Sequence, residues 1–157
     1  MVTENPAKAF LKRYRAALKR MDSLTRAINE ARDRATNITM HIKENPVQNG
    51  NAAYDSMAED VSKIIDAENQ LFEQWLSAGT ILQEVMAAIN SVPDEMQKTV
   101  LTMRYVEGLG WFKISENIGY EISNTYKLHG RALVHVNRYL RSKSMERVYE
   151  NVVVKNL

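Results

Sequence analysis

Apolar residues recur every three or four positions along two long segments of this chain, and this spacing predicts two long amphipathic helices. The first apolar stripe comprises Phe10, Tyr14, Ala17, Met21, Leu24, Ile28, Ala31, Ala35, Ile38 and Ile42. The second apolar stripe comprises Met57, Val61, Ile64, Glu68, Leu71, Trp75, Ala78, Leu82, Val85 and Ile89, with Glu68 as its one polar member. Alternating steps of three and four residues are typical of coiled coils, so each segment is expected to bury one face against another helix.

The stretch between the two segments is expected to be a turn. Pro46 disfavours helical geometry at Asn45, and the run Asn49-Gly50-Asn51 is typical of a tight connection. Two helices of about 35 to 40 residues would then form an antiparallel, coiled-coil-like hairpin over residues 1–92. Further apolar residues flank the stripes, and they are Leu11, Leu18, Ile65, Phe72 and Met86. We expect a second copy of the chain or the carboxyl-terminal region to cover them, unless long side chains of the same hairpin shield them.

The charges of the chain are unevenly distributed, although the net charge is only +2. Residues 1–34 carry nine Lys or Arg and four acidic residues, a net charge of +5. Residues 55–84 carry one Lys and seven acidic residues, a net charge of −6. Because opposite charges on neighbouring helices attract, this distribution favours pairing of the two segments.

Residues 93–143 have a different pattern, in which apolar-periodic segments are separated by glycines. Pro93 is suited to the first position of a helix. Breaks follow at Gly108 and Gly110 and again at Gly119, which can adopt the positive φ of a tight interhelical turn. The pattern predicts a three-helix, helix-turn-helix domain.

The last predicted helix has one apolar face and one polar, aromatic and basic face. The expected inward residues are Ile122, Thr125, Leu128, Ala132 and Leu133. The expected outward residues are Ser123, Asn124, Tyr126, Lys127 and Arg131. An outward face of this composition suits a helix that lies in a DNA groove.

This region resembles region 4 of sigma-70-type factors, the part of those proteins that reads the promoter −35 element. The residues that carry the resemblance are VPDEMQKTVLTMRYVEGLGWFKISENIGY, followed by NTYKLHGRAL. The region is more similar to the ArpU-type, sigma-like regulators encoded by phages and prophages of Gram-positive bacteria, because of the pair Gly119-Tyr120 and the run Leu128–Leu133. Two positions depart from the family pattern: Glu121 stands where Ser or Thr is usual, and Thr125 stands where an aliphatic residue is usual.

The resemblance, carried over position by position, implies a set of DNA contacts on the last helix. Ser123, Asn124, Tyr126 and Lys127 would approach base edges or the groove wall, with Arg131 one turn further on. An asparagine can read adenine, and lysine and arginine can contact guanine or phosphate.

The resemblance also implies that Trp111 and Lys113 lie near the DNA backbone, at the amino end of the preceding helix, where N–H groups and a cation favour phosphate. Alternatives remain open for several of these residues. Lys127 and Arg131 also fit an ordinary solvated face, whereas Tyr126 and Trp111 also fit the small core.

The composition argues against several other classes of protein. Without cysteine the chain has no disulfides or Cys-based metal sites, and none of its three histidines has a His, Asp or Cys three or four residues away. No apolar run approaches the roughly 18 residues of a membrane span, and no signal peptide is recognisable. Motifs for a catalytic nucleophile, a phosphate-binding glycine loop or paired acids are not found either. We therefore expect a cytoplasmic protein without membrane contact, metal, cofactor or catalytic activity.

Together these patterns predict an all-α protein with three parts. A hairpin over residues 1–92 would serve oligomerisation or partner binding, a helix-turn-helix domain over residues 93–143 would bind DNA, and a tail over residues 144–157 would fray or dock on a neighbouring subunit. The expected function is that of a phage or prophage transcription regulator that binds double-stranded promoter DNA as a homodimer or higher oligomer, with or without contact to RNA polymerase. Two alternatives stay open: a phage terminase small subunit that recognises packaging-site DNA, and an adaptor that docks on RNA polymerase without binding DNA.

Overall fold

The computed structural model of the protein describes residues 4–44 and 50–155, and all regular structure in these residues is helical. Helix α1 spans Pro6–Leu11, α2 spans Arg13–Glu44 and α3 spans Gly50–Asn90. Helix α4 spans Glu95–Leu101 and continues into a π-helical turn over Thr102–Val106. Helix α5 then spans Trp111–Ile118, and α6 spans Ile122–Lys155. The all-α class predicted from the sequence is confirmed, whereas the predicted turn around Pro46 lies outside the described residues.

The chain divides into two compact units. Unit 1 comprises Met1–Ala16 and Thr80–Leu157, and unit 2 comprises Ala17–Gly79. This division differs from the expected boundary near residue 92. The reason is that apolar side chains from the start of the first predicted helix and from the end of the second pack together with α4 and α6.

The core of unit 1 is built from α1, the end of α3, α4 with its π-helical turn, and α6. Its buried members are Ala7, Leu11, Val85, Ala88, Ile89, Val92, Leu101, Tyr105, Ala132, Leu133 and Val136. Leu11 is therefore a core residue of unit 1 and not a flanking residue of the hairpin. Asn137 on α6 fixes α1 in addition, because its Oδ1 accepts a hydrogen bond of 2.9 Å from the backbone N–H of Ala7.

The helices of residues 95–155 begin and end at recognisable signals. Asp94 caps α4 by accepting a hydrogen bond of 2.8 Å from the backbone N–H of Gln97, so the helix begins two residues after Pro93 and not at it. Gly119 ends α5 with φ of +70°, which confirms the predicted left-handed turn. Gly108 has φ of +77°, and a Cβ there would lie 2.5 Å from the guanidinium carbon of Arg15.

Unit 2 is formed by parts of α2 and α3 that contact each other. Arg32 forms an ion pair with Glu68, and Thr39 Oγ1 lies 3.8 Å from Met57 Sδ. Within this unit the first apolar stripe faces inward as predicted. Its buried members are Ala17, Ile28 and Ala31, and its half-buried members are Met21, Leu24, Ala35 and Ile38.

The second apolar stripe faces inward at only some of its predicted positions. Its inward members in unit 2 are Met57, Ile64, Leu71 and Ala78. The members predicted between them, Val61, Glu68 and Trp75, are exposed, and Asp60, Ala67 and Gln74 are half-buried instead. On a helix with 3.6 residues per turn, the position three residues after an inward residue and the position four residues after it flank that residue on its two sides. In unit 2 the positions three residues after an inward residue are half-buried, whereas those four residues after it are exposed, although Glu68 among them pairs with Arg32 of α2.

Helix α6 has no break near residue 143. It continues to Lys155, so the expected tail is helical as far as the structure describes it, and residues 141–151 are exposed. The predicted docking of the tail on a neighbouring subunit would use the apolar run Val152–Val154, whose side chains lie outside the described set.

Candidate nucleic-acid interface

The inner face of α6 is fixed by the core of unit 1. The residues of α6 that are buried are Thr125, His129, Ala132, Leu133 and Val136. Three of the predicted inward residues, Thr125, Ala132 and Leu133, are among them. Ile122 is exposed, however, and Leu128 is half-buried. Because one side of the helix is buried over several turns, the opposite side is presented to solvent in a fixed orientation.

The outer face of α6 consists of Ser123, Asn124, Lys127 and Arg131, which are all exposed as predicted. An open concavity of about 310 Å³ lies on this face. It is lined by Tyr120, Asn124, Lys127, Leu128 and Arg131. No described carboxylate forms an ion pair with Lys127 or Arg131, so both cations remain available to an anionic ligand.

Trp111 is held by three neighbours at the start of α5. Its ring lies 4.9 Å from the ring of Tyr126 and 4.8 Å from the ring of His129, measured between centroids. The guanidinium carbon of Arg104 lies 4.8 Å from the centre of the indole. Trp111 is half-buried, and these contacts make it a residue that positions α5 against α6. Tyr126, by contrast, keeps 48% of its surface exposed beside the outer face.

Arg104 completes this arrangement from the π-helical turn. Its Nη1 donates a hydrogen bond of 2.9 Å to the backbone carbonyl of Leu109, in the loop before α5. One side chain therefore fixes both the loop and the indole of Trp111.

The amino end of α5 is open to solvent. Gly110 caps it without a side-chain hydrogen bond, and Phe112 is 73% exposed. Lys113 is exposed, but its Nζ lies 2.8 Å from Glu116 Oε2 in an ion pair. An anion would compete with Glu116 for this cation, so Lys113 is a weaker candidate than Lys127 or Arg131.

A buried pair of polar side chains lies beneath the outer face. Tyr105 Oη and His129 Nε2 are 2.8 Å apart and hydrogen-bonded. Burial lowers the pKa of His129 to about 4, with smaller contributions from the positive charges of Lys8 and Arg104. Burial also raises the pKa of Tyr105 to about 12. Both groups are therefore neutral at pH 7, which is the state that a buried polar pair requires.

A second polar contact joins α5 directly to α6. Ser115 Oγ lies 2.9 Å from Thr125 Oγ1, and Thr125 Oγ1 donates to the backbone carbonyl of Glu121 at 3.1 Å. Both side chains are buried. The contact explains why a threonine is tolerated at a position where the resembled family has an aliphatic residue.

Sequence reasoning identified the exposed residues of this site better than the residues that position it. The sequence pattern predicts neither Tyr105 nor His129 as a residue that positions this site. The useful signal was that His129 lies four residues after Thr125 and three before Ala132, on the inward face of α6. No sequence pattern indicates the role of Arg104, because its partners come from a loop and a different helix.

Comparison with known proteins gives no match for this chain among protein families, curated proteins or solved structures. In the described residues, no helix is both long and apolar enough to span a membrane. The same residues contain no cluster of three or more His, Cys, Asp or Glu suited to a metal ion.

Proposed function

We propose that unit 1 binds double-stranded DNA through the outer face of α6. In this proposal α5, the turn at Gly119 and α6 act as a helix-turn-helix, with α6 as the recognition helix in the major groove. The observation that carries the proposal is the pair of exposed, unpaired cations Lys127 and Arg131 beside Asn124, on a helix whose other side is locked into a core.

The chemistry of the outer face matches the groove of a duplex. Lys127 and Arg131 are one turn apart, so both can reach phosphates or guanine edges along one side of the helix. Asn124 lies one turn before Lys127 and can form paired hydrogen bonds with adenine. Ser123 can contact either a base or the backbone. Tyr126 is exposed enough to contact the groove wall without leaving Trp111.

The amino end of α5 would contribute backbone contacts. Its first N–H groups have no side-chain cap and can donate to a phosphate oxygen, as helix amino ends commonly do. Trp111 would act here by holding α5 in position. Lys113 would join only after it exchanges Glu116 for a phosphate.

We further propose that the chain is a phage or prophage transcription regulator of the sigma-like kind, without catalytic activity. Support comes from the resemblance of residues 92–133 to sigma region 4, together with the buried and exposed faces of α6. In this proposal α2 and α3 form an antiparallel hairpin through which two copies pair. Pairing would place two recognition helices on one duplex and raise the overall affinity. RNA polymerase is a further proposed partner.

The test begins with selection of binding sites from a random duplex pool by the full chain. Binding of the selected site is then measured by fluorescence anisotropy at about 150 mM salt, because affinities for DNA depend strongly on salt. We expect Lys127→Ala with Arg131→Ala to weaken binding by about 30-fold or more, since each contact of this kind contributes roughly 1–3 kcal/mol.

The matched control removes two other cations from the same helix. Lys143→Ala with Arg147→Ala makes the same change of charge at exposed positions of α6, more than 10 residues beyond the outer face. This control is expected to keep most of the affinity. Equal losses in both double variants would mean that only net charge matters and would contradict a defined recognition face.

The same experiment distinguishes the two rival functions. If the selected site maps to a packaging region and the protein forms ring-shaped oligomers, the chain is a terminase small subunit. If no duplex is enriched while RNA polymerase retains the chain on a column, the adaptor is correct and the DNA-binding proposal is wrong.

A further inference from the structure

A row of large apolar side chains lies exposed along α3 in unit 2. We call it the exposed row, and its members are Tyr54, Val61, Ile65, Phe72, Trp75 and Leu76. Between 41 and 70% of the surface of each of these residues is accessible. Their spacing places them on one side of the helix, with Ala58 and Gly79 on the same side near its two ends.

Helix α2 does not cover this row. It contacts α3 on a different side, where Ile64 and Leu71 are half-buried and Ala78 is buried. The rings of Phe72 and Trp75 stack on each other with their centroids 6.4 Å apart, so the two largest members form one exposed aromatic surface.

The row is larger than the apolar patches that monomers usually leave in water. With about half of each side chain exposed, it presents roughly 600 Å² of apolar surface, compared with the few hundred Å² that are usual. Two such rows in contact would bury about 1,200 Å², which reaches the range of specific protein interfaces. The row extends over about 35 Å of helix, so an occupant of the same length and shape fits it best.

We propose that the occupant is the exposed row of a second copy, packed antiparallel across a two-fold axis near Glu68 and Asn69. This inference deepens the proposed pairing of chains by naming its surface and direction. A two-fold interface requires one patch that is complementary to itself. An antiparallel arrangement provides this, because the end of one row that carries the larger side chains lies opposite the end of the other row that carries the smaller ones.

The pairing of side chains follows from the axis. Ile65 of one copy faces Phe72 of the other, and Val61 faces Leu76. Ala58 faces Gly79, where the absence of a large side chain lets the two helices approach closely. A parallel arrangement would instead place Trp75 against its own copy and leave a gap between the two Ala58 side chains.

The charges beside the row exclude a polyanion as its occupant. Asp55, Asp66 and Glu73 border it on one side, and α3 within unit 2 carries six acidic residues and one lysine. Two copies bring these acidic borders near each other, so added salt will screen their repulsion and strengthen the dimer. Binding of DNA by unit 1 has the opposite dependence on salt.

The first experiment measures self-association of the full chain by analytical ultracentrifugation. We expect a dimer at about 10 µM protein, and Phe72→Ser with Trp75→Ser is expected to weaken it by at least about 100-fold, because stacked aromatic anchors dominate interfaces. Val148→Ser with Tyr149→Ser removes a comparable exposed pair from α6 and is the matched control. A monomeric parent chain, or equal effects of both double variants, overturns the proposal.

The second experiment tests the direction with single cysteines, which is feasible because the chain contains none. Oxidation of Asn69→Cys is expected to give a covalent dimer, since this position lies near the axis. Ala58→Cys and Gly79→Cys are expected to cross-link only when the two variants are mixed. Cross-linking of each of these variants with itself would mean a parallel pair and would overturn the antiparallel arrangement.

The outcomes for dimerisation and DNA binding are separable. Phe72→Ser with Trp75→Ser leaves the outer face of α6 unchanged, so the monomeric variant still binds a single half-site weakly if the proposed function holds. Lys127→Ala with Arg131→Ala leaves the exposed row unchanged and is expected to dimerise normally.

Discussion

The two units of this protein are built from the same kind of helix but bury very different amounts of apolar surface. Unit 1 surrounds Leu11, Ile89 and Leu101 on all sides. Unit 2 buries mainly small residues such as Ala17, Ala31 and Ala78, with Ile28 as the one large apolar side chain among its described buried residues. The larger apolar residues of α3 in unit 2 remain at the surface.

The difference shows what a third packing element contributes. In unit 1, α6 contacts α1, α4 and α5 and contributes Ala132, Leu133 and Val136 to a core that also includes the end of α3. In unit 2, α2 and α3 have only each other within the part of the chain that the structure describes, and two helices can bury only one stripe each. Unit 1 therefore provides a rigid platform for its outer face, whereas unit 2 gains most from an added partner.

The largest predicted effect is the loss of a core side chain in unit 1. Leu11→Ala removes a fully buried leucine and is expected to destabilise unit 1 by about 3 kcal/mol, because it leaves a cavity that the surrounding helices cannot fill. Leu71→Ala, at a half-buried site of unit 2, is expected to cost only about 1 kcal/mol. Urea unfolding gives both values.

The two tryptophans allow each unit to be followed separately. Trp111 reports on unit 1 and Trp75 on unit 2, so each urea titration is repeated in a Trp75→Phe and a Trp111→Phe background. Similar losses for Leu11→Ala and Leu71→Ala would contradict the contrast between the two units.

The second predicted effect is a dependence of unit 1 on pH that comes from His129. The pKa of His129 is about 4 in the folded protein and near 6.5 when unfolded, so only the unfolded chain takes up the proton between these values. The contribution of neutral His129 is therefore complete above pH 6.5 and is lost as the pH falls towards 4. We expect a loss on the order of 2 kcal/mol for unit 1 over this range.

A direct check is the melting temperature of unit 1 at pH 7 and at pH 5, read from Trp111. In His129→Gln the difference between the two pH values is expected to shrink, because glutamine keeps a polar partner for Tyr105 but does not titrate. An unchanged difference would assign the pH dependence to other groups.

The sequence predicted the helices of unit 1 better than it predicted which parts of the chain belong to the unit. Glycines, proline and a short apolar period mark α4, α5 and α6 locally, and the φ of Gly119 followed from its place at the end of a helix. The recruitment of Leu11 and Val85 into the same core could not be predicted, because it depends on contacts between residues far apart in sequence. Val85 also fits the second apolar stripe and Leu11 flanks the first one, which concealed their actual partners.

For α3 the sequence correctly predicted a helix, but some of the residues that it predicted to face inward are exposed. Steps of three and four residues fit the positions Val61 and Trp75 as well as the positions Asp60 and Gln74, and apolar character favoured the first pair. The second pair is the half-buried one. Apolar character therefore indicated a surface to be covered, and it did not indicate which helix covers it.

Some residues of the candidate site could be predicted from the sequence, and others could not. Asn124, Lys127 and Arg131 are exposed as predicted, because a helical period alone determines which residues lie opposite a buried face. The placement of Trp111 between Arg104 and His129 needed the tertiary structure, since these three residues come from three different segments.

The third prediction concerns the turn that joins α5 to α6. Gly119→Ala places a Cβ at φ of +70° and is expected to destabilise unit 1 by about 1 kcal/mol through backbone strain alone, because no other atom lies within 4 Å of that Cβ. Gly110→Ala is the matched control, since Gly110 has φ of −73° and equal free space. Thermal unfolding followed at Trp111 should show a clear loss for the first variant and little change for the second.

The smallest predicted effect lies in unit 2, at the ion pair between Arg32 and Glu68. Both side chains are about half exposed, so water and salt weaken their attraction, and Glu68→Gln is expected to cost less than about 1 kcal/mol in urea unfolding followed at Trp75. The cost should fall further at high salt. Near the proposed two-fold axis the same substitution also removes both facing carboxylates, one from each copy, so it is expected to strengthen dimerisation while it slightly weakens the contact between α2 and α3. A variant that loses both stability and dimerisation would place Glu68 in an attractive contact between copies and would move the axis away from it.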